Sequence, residues 1–243
     1  MSADLHFYFD PTCPFAWMTS KWVRRVVAQR DYTVDWRFIS LRMINEHLDY
    51  ATHFPAGYEG GHTAGLRLLR VAARTRETLG RPAVGDLYAA FGAAIFDAAG
   101  SADDMPTRAR RGTREFVAPI LDSAGLPATL ADALEDPSLD PVIRAEGEEA
   151  LGLTGRDVGT PIIHVEPPHG VAFFGPVISR LPSDEDALRL WDHVVGLAGF
   201  AGFAELKRSL REKPQLRALG VDVDEVGNQE DWQAGRVTDP APR

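Results

Sequence analysis

The chain has 243 residues, of which 44% are hydrophobic and 25% charged, and its formal net charge at pH 7 is −9. These values are typical of a globular protein of one or two domains. The sequence contains no apolar run of about 18 residues, so it predicts no membrane-spanning helix. The negative charge argues against nucleic acid or an anionic membrane as a partner. A single cysteine, Cys13, excludes an internal disulfide, and the first residues show no basic and apolar leader, so we expect a cytoplasmic location.

The first 40 residues follow the order strand, helix, strand. Apolar residues alternate along the chain over residues 5–9, which predicts a strand. Pro14 suits the first turn of a helix, and apolar residues then recur at helical spacing to about Arg30. A second alternating run covers residues 34–38. A strand, a crossover helix and a strand within about 35 residues make a β-α-β unit.

The region from about residue 45 to residue 157 contains helical patterns and almost no strand signal. Proline residues stand where helices would begin and glycine residues where they would end. Pro119 is expected to kink or split one of these helices. The predicted helices cover residues 60–79, 85–99, 107–124, 127–135 and 141–151.

The last part of the chain returns to strand patterns. Two short apolar runs, residues 161–165 and 171–174, are joined by a turn-rich connection and predict a hairpin. Ser183 and three acidic residues after it are typical of a helix start. A further short helix is expected over residues 203–211. The acidic stretch from Val221 onward has few apolar groups to bury, and we expect a loosely held tail there.

This order predicts an α/β protein with a thioredoxin-like mixed four-stranded sheet, built as β-α-β and β-β-α around a large helical insertion. The expected thioredoxin-like domain is discontinuous and consists of residues 1–44 and 158–212. Residues 45–157 would form the helical insertion domain, and residues 213–243 a C-terminal tail.

Cys13 follows a predicted strand and a turn, and it comes directly before Pro14. We therefore expect it at the N-terminus of the first helix, where unpaired amide groups and the helix dipole favour an anion. Such a position can lower the pKa of a thiol from its usual value of about 8.5. A lone cysteine is also often an inert buried residue, so a packing role for Cys13 stays open.

An ordered set of motifs spans about residues 5 to 210. Together they resemble the DsbA-like branch of the thioredoxin superfamily, and most of all the actinobacterial mycothiol-dependent nitroreductase family. The motifs are Phe7-x-Phe9-Asp10-Pro11-x-Cys13-Pro14, Ser40-Leu41-x-x-Ile44-Asn45-Glu46, Leu87-Tyr88-x-x-x-Gly92, Asp157-Val158-Gly159-Thr160-Pro161-x-Ile163-His164-Val165, Val171-Ala172-Phe173-Phe174-Gly175-Pro176 and Phe203-x-Glu205-Leu206-Lys207-Arg208.

The resemblance implies roles for five residues. Cys13 would be the attacking cysteine, and Pro161 would be a cis-proline facing it. Thr160 would lie beside the sulfur and offer its backbone to a thiol-containing substrate. Asn45 and Tyr58 would belong to the substrate pocket, although Asn45 could equally be a helix N-cap and Tyr58 a packed aromatic residue.

The active-site motif departs from the family pattern. The family usually has Cys-Pro-Trp-Cys, whereas this chain has Cys13-Pro14-Phe15-Ala16. Ala16 removes the resolving thiol, and Phe15 keeps an aromatic ring without the indole N–H. Phe96 stands where a polar or histidine residue is expected, so we expect a less polar pocket floor.

Three functions remain open from the sequence. The leading hypothesis is a cytosolic thiol-dependent oxidoreductase in which Cys13 is the single nucleophile and an external low-molecular-weight thiol, such as mycothiol, completes turnover. The second is an enzyme similar to kappa-class glutathione transferases and hydroxychromene carboxylate isomerases, whose helix start stabilises a bound thiolate. The third is a non-catalytic redox-sensing or binding module.

The cofactor and partner predictions follow from the leading hypothesis. We expect no tightly bound cofactor and no metal site, since a single cysteine cannot supply a thiolate cluster and the histidines lack metal-ligand spacing. The substrates would be the small thiol together with a small molecule or a disulfide. Apolar surfaces on the insertion would support a homodimer.

Overall fold

The four predicted central strands form one mixed sheet in the computed structural model of the chain. The described residues are 3–207, 210–221, 229–233 and 236–238. The strands are β1 (Leu5–Phe9), β2 (Val34–Phe38), β3 (Ile162–Val165) and β4 (Ala172–Phe174). Their order in the sheet is β2-β1-β3-β4, with β1 and β2 parallel and the other neighbouring pairs antiparallel. The predicted thioredoxin-like mixed four-stranded sheet is confirmed.

Helix α1 (Pro14–Arg30) makes the crossover between the two parallel strands. It begins as the sequence predicts, with a proline in its first turn and Cys13 as its N-cap residue. It ends at Asp31, whose φ of 54° lies in the left-handed region. The crossover therefore brings Cys13 to the end of β1, next to the start of the insertion.

All of residues 39–161 are described, and they contain helices but no strand. The predicted helix over residues 107–124 is two helices, and the division lies at residues 111–113 because Thr113 caps the second one through its hydroxyl. Pro119 lies inside that second helix and does not split it. The elements are α2 (Leu41–Ile44), α3 (Tyr50–His53), α4 (Tyr58–Leu79), α5 (Arg81–Gly92), a π-helical turn (Ala93–Asp97), α6 (Met105–Arg110), α7 (Arg114–Ser123), two 3₁₀ helices (Ala128–Glu135 and Pro137–Leu139) and α8 (Asp140–Thr154).

After the sheet, helix α9 (Asp184–Ala198) begins at the predicted Ser183 cap, whose hydroxyl accepts a hydrogen bond from the N–H of Asp186. The helix predicted over residues 203–211 is wrong. Residues 203–207 are irregular, and the chain then enters a strand; residues 208–209 lie outside the described residues. Leu206 is 76% exposed, so it makes no packing contact with the core that would stabilise a helix here.

Three short strands near the C-terminus form a second, antiparallel sheet. They are β5 (Leu210–Glu212), β6 (Gln229–Gln233) and β7 (Arg236–Thr238). Between β5 and β6 a short 3₁₀ helix, Arg217–Leu219, follows the fully buried Leu216. Most of the predicted loose tail from residue 221 lies outside the described residues.

One continuous core joins the sheet to the insertion. Alternate residues of β1 point into it, including Phe7 and Phe9, and they meet side chains from α1, α4 and α5. Tyr8 points to the opposite face and packs under α8 in a smaller cluster. Within the described part of the chain, no helix has the length and apolar character needed to cross a bilayer. The division into domains stays a prediction.

Candidate functional site

The sulfur of Cys13 lies at the start of α1, between two backbone groups. The N–H of Ala16 donates a hydrogen bond to Sγ over 3.4 Å. The Cys13 S–H donates to the carbonyl oxygen of Thr160 over 3.5 Å. Cys13 itself is 8% exposed. A helix start and a distant loop therefore meet at this thiol, which retains a small opening to solvent.

The loop opposite Cys13 carries the proline that the resemblance implies. The Thr160–Pro161 peptide bond is cis. The Thr160 hydroxyl donates to the carbonyl oxygen of Tyr8 over 3.1 Å, which ties the loop to β1. The N–H of Gly175 donates to the Pro161 carbonyl over 2.8 Å, which ties it to the end of β4. The two strands that flank β3 thus hold the loop against the sulfur.

Burial dominates the electrostatics of Cys13. Removal from water raises the pKa of its thiol to about 12, because a thiolate is poorly solvated in the interior. Hydrogen bonds from the N–H groups of Ala16 and Phe15 lower this pKa, and the negative charge of Asp10 raises it. The prediction that the helix start gives Cys13 a low pKa is therefore wrong for the thiol as the structure has it.

Asp10 is a site residue that the sequence reasoning did not single out. Its side chain is fully buried at the end of β1, and its carboxylate accepts hydrogen bonds from the N–H and hydroxyl of Thr12 and from the N–H of Leu41. Burial raises its pKa, and the N–H groups of Thr12 and Leu41 lower it. The available signal was the spacing of Asp10 three residues before Cys13.

Aromatic side chains pack on the insertion side of the site. Tyr88 stacks on Phe9 with 3.9 Å between ring centroids, and it meets the edge of Trp17 at 5.6 Å. Trp17 donates its indole N–H to Asp97 over 3.1 Å, and Lys21 pairs with the same carboxylate at 2.7 Å. Tyr88 and the base of α1 thus form an apolar wall that is anchored to the π-helical turn.

The structure keeps Asn45 and Tyr58 in the insertion. Asn45 ends α2 and donates its side-chain amide to the Leu41 carbonyl over 2.8 Å, so the N-cap alternative is wrong. Tyr58 begins α4, stacks on Phe54 at 5.9 Å and lies under the guanidinium of Arg108. These ring contacts fit the packed-aromatic alternative for Tyr58, and the pocket role of both residues stays a prediction.

Phe96 does not face an open pocket. It is fully buried in the π-helical turn, and the guanidinium of Arg111 lies 5.5 Å from its ring. Pro14 and Phe15, in contrast, are partly exposed beside the thiol. Phe15 and Phe96 are the two positions at which the sequence indicates a less polar pocket. Only Phe15 is partly exposed to solvent.

The described residues around Cys13 do not form a set of metal ligands. Among the described residues, no three histidine, cysteine, aspartate or glutamate side chains lie close enough together to hold an ion. The chemistry available at the site comes from one thiol, one buried carboxylate and backbone groups.

Comparisons with known proteins support the sequence resemblance. The family model described as "Mycothiol-dependent nitroreductase Rv2466c" matches residues 12–208 of the chain. The uncharacterized protein Rv2286c of Mycobacterium tuberculosis is 36% identical over 203 residues, which is 83% of this chain and 80% of that protein.

The chain is also similar, at low identity, to two solved structures. The structure described as "probable DsbA oxidoreductase SCO1869" from Streptomyces coelicolor is 16% identical, covers 88% of this chain and 98% of its own, and has a TM-score of 0.49. A 2-hydroxychromene-2-carboxylate isomerase is 12% identical, covers 79% of this chain and 94% of its own, and has a TM-score of 0.39. The fold assignment rests on the strand order of this chain.

Proposed function

The chain belongs to the Rv2466c-like family of mycothiol-dependent nitroreductases, which makes it a thiol-dependent oxidoreductase, and from this premise we propose that Cys13 is its single nucleophile. A low-molecular-weight thiol, mycothiol, would be the co-substrate. The observation that carries this proposal is the position of the Cys13 sulfur between the Ala16 N–H and the Thr160 carbonyl, opposite Pro161.

The proposed chemistry is two successive thiol–disulfide exchanges. The Cys13 thiolate attacks one sulfur of a disulfide, forms a mixed disulfide and releases the other half as a thiolate. A mycothiol thiolate then attacks the sulfur attached to Cys13, which regenerates the Cys13 thiolate and releases a new disulfide. Mycothiol supplies the electrons, and a resolving cysteine is absent because Ala16 occupies its position.

The raised pKa of Cys13 affects both exchanges. At pH 7 only a small fraction of Cys13 is thiolate, so the first attack is slow. A thiolate of high pKa is also a poor leaving group, which slows the second attack. We therefore expect the mixed disulfide on Cys13 to be long-lived.

Mass spectrometry of the intact protein tests the proposal. After incubation with mycothiol disulfide, we expect one mycothiol adduct on the native chain and none on Cys13→Ser. The matched variant is Ala16→Cys, which restores a second thiol at a helix position whose N–H already contacts Sγ. In that variant an internal disulfide should displace the adduct. A native chain that takes up no adduct and shows no mycothiol-linked reduction would contradict the proposal.

The burial of Cys13 also favours a second candidate function. A protonated thiol is a weak acceptor for the N–H of Ala16, so the thiolate of a bound substrate would compete well for the opening amides of α1, as in the transferase and isomerase alternative. Cys13→Ser separates the two functions, because a transferase would keep thiol-dependent turnover and a disulfide exchanger would lose it. The cytoplasmic location and the homodimer stay predictions.

A further inference from the structure

Asp10 is a buried carboxylate without a cationic partner among the described residues. It is 0% exposed, and its hydrogen bonds come from two N–H groups and one hydroxyl, at 2.8–2.9 Å. Helix α4 closes over it at Gly65, where an added Cβ would lie 2.6 Å from Oδ1 of Asp10. Water is therefore excluded on the side of the insertion as well as on the side of the sheet.

The ionisable groups that face Asp10 come from three elements. Cys13 starts α1, and its N–H donates to the Asp10 carbonyl over 3.1 Å. Tyr88 on α5 interacts electrostatically with both Asp10 and Cys13, and Tyr50 on α3 interacts with Asp10. Helix α4 contributes only Gly65 at the point of contact, and α2 contributes the N–H of Leu41. All three facing groups are acids, so a second negative charge here is unfavourable.

We propose that Asp10 is a positioning residue whose buried negative charge adds to the effect of burial in keeping Cys13 protonated, so that the two groups titrate as a coupled pair. This coupling affects turnover only if Cys13 is the nucleophile, so its relevance to catalysis rests on the proposed function. When Cys13 loses its proton, the new thiolate favours uptake of a proton by the Asp10 carboxylate, and the site keeps a single negative charge. Neutralising Asp10 would then be the step that activates the thiol.

Labelling of Cys13 with iodoacetamide at pH 7 tests this coupling without any turnover. We expect Asp10→Asn to react at least about tenfold faster than the native chain, since a fall of one unit in the thiol pKa raises the thiolate fraction tenfold. The control is Asp103→Asn, which removes a nearly buried carboxylate that pairs with Arg108 and Arg111 in the insertion. Its labelling rate should match that of the native chain.

A second pair of variants keeps the test decisive if Asp10→Asn does not fold. Thr12→Val removes one hydrogen bond to Asp10, which makes the carboxylate easier to protonate and should speed labelling severalfold. Thr75→Val removes a fully buried hydroxyl whose hydrogen bond goes to Val71, and it should have no effect. Unchanged or slower labelling in folded Asp10→Asn, or in Thr12→Val, would overturn the proposal.

Carbon-13 NMR of the Asp10 carboxyl measures the coupling directly. If Asp10 had only a structural role, its carboxyl signal would not respond to the ionisation of Cys13. As Cys13 loses its proton at alkaline pH, the new negative charge should shift the carbon-13 signal of the Asp10 carboxyl a second time, and alkylation of Cys13 with iodoacetamide should abolish that second step. Carboxyl signals that are identical in the native and alkylated proteins across this pH range would contradict the coupling. If Asp10→Asn is labelled faster but the native chain forms no mycothiol adduct, the proposed function is contradicted and the coupling of Asp10 to Cys13 is supported.

Discussion

The Cys13 side chain gains one amide hydrogen bond and loses nearly all of its contact with water. A helix N-terminus stabilises a nearby anion by about 0.3–1 kcal/mol at a surface site. The rise of the thiol pKa from its usual value of about 8.5 to about 12 corresponds to about 5 kcal/mol against the thiolate. Burial is the larger effect by several kcal/mol, so position at a helix start does not by itself make this thiol acidic.

The pH profile of Cys13 labelling follows from that balance. With a thiol pKa of about 12, the iodoacetamide rate of the native chain should rise about tenfold for each pH unit between roughly pH 7 and 10. A free thiol such as glutathione, measured alongside, should level off near its own pKa. Levelling of the protein rate below pH 9 would show that the helix start outweighs burial.

At the scale of elements, the contact between α4 and the loop before Cys13 positions the site. Gly65 allows this helix to approach so closely that a Cβ there would lie 2.6 Å from Asp10 Oδ1 and 2.8 Å from Thr12 Oγ1. Neither side chain can move freely, because the two are hydrogen-bonded to each other. Helix α4 is thereby packed directly against the loop that precedes Cys13.

Gly65→Ala tests this packing. We expect it to lower the free energy of unfolding by about 1–3 kcal/mol, because the clash outweighs the gain of up to about 1 kcal/mol that alanine gives in a helix. Gly152→Ala in α8 is the matched control, since its Cβ would meet no atom within 4 Å, and it should stabilise by about 0.5–1 kcal/mol. Urea denaturation measures both, and equal effects of the two substitutions would contradict the close approach.

On the scale of the whole molecule, the segment over residues 213–221 links distant parts of the chain. The N–H of Gln215 donates to the Ser179 carbonyl over 2.8 Å. Leu216 is fully buried in the common core, and the 3₁₀ helix Arg217–Leu219 contacts the π-helical turn that anchors Trp17. This part of the predicted C-terminal tail belongs to the core.

Leu216→Ala should therefore destabilise the entire fold, by about 2–5 kcal/mol, as expected for a buried leucine that leaves a cavity. Leu206→Ala, at a side chain that is 76% exposed, should change the free energy of unfolding by less than about 0.5 kcal/mol. Urea unfolding followed by circular dichroism and by tryptophan fluorescence should give one coincident transition. A separate early transition in Leu216→Ala would mean that the segment unfolds alone.

The sequence determined the order of the main elements and the start of α1, because periodicity, proline placement and capping residues act over a few neighbouring positions. The same local rules failed at residues 203–207, which are irregular. They also could not reveal that Tyr88, from a different helix, lies near the thiol.

Tertiary structure alone decided the chemical state of Cys13. The Thr160 carbonyl reaches its sulfur across 147 positions of sequence, and Gly65 closes over Asp10 from a different helix. Desolvation and charge repulsion depend on every group within a few ångströms, whichever part of the chain supplies it. The sequence therefore identified the thiol and its helix, whereas the pKa of that thiol depended on which distant residues excluded water from it.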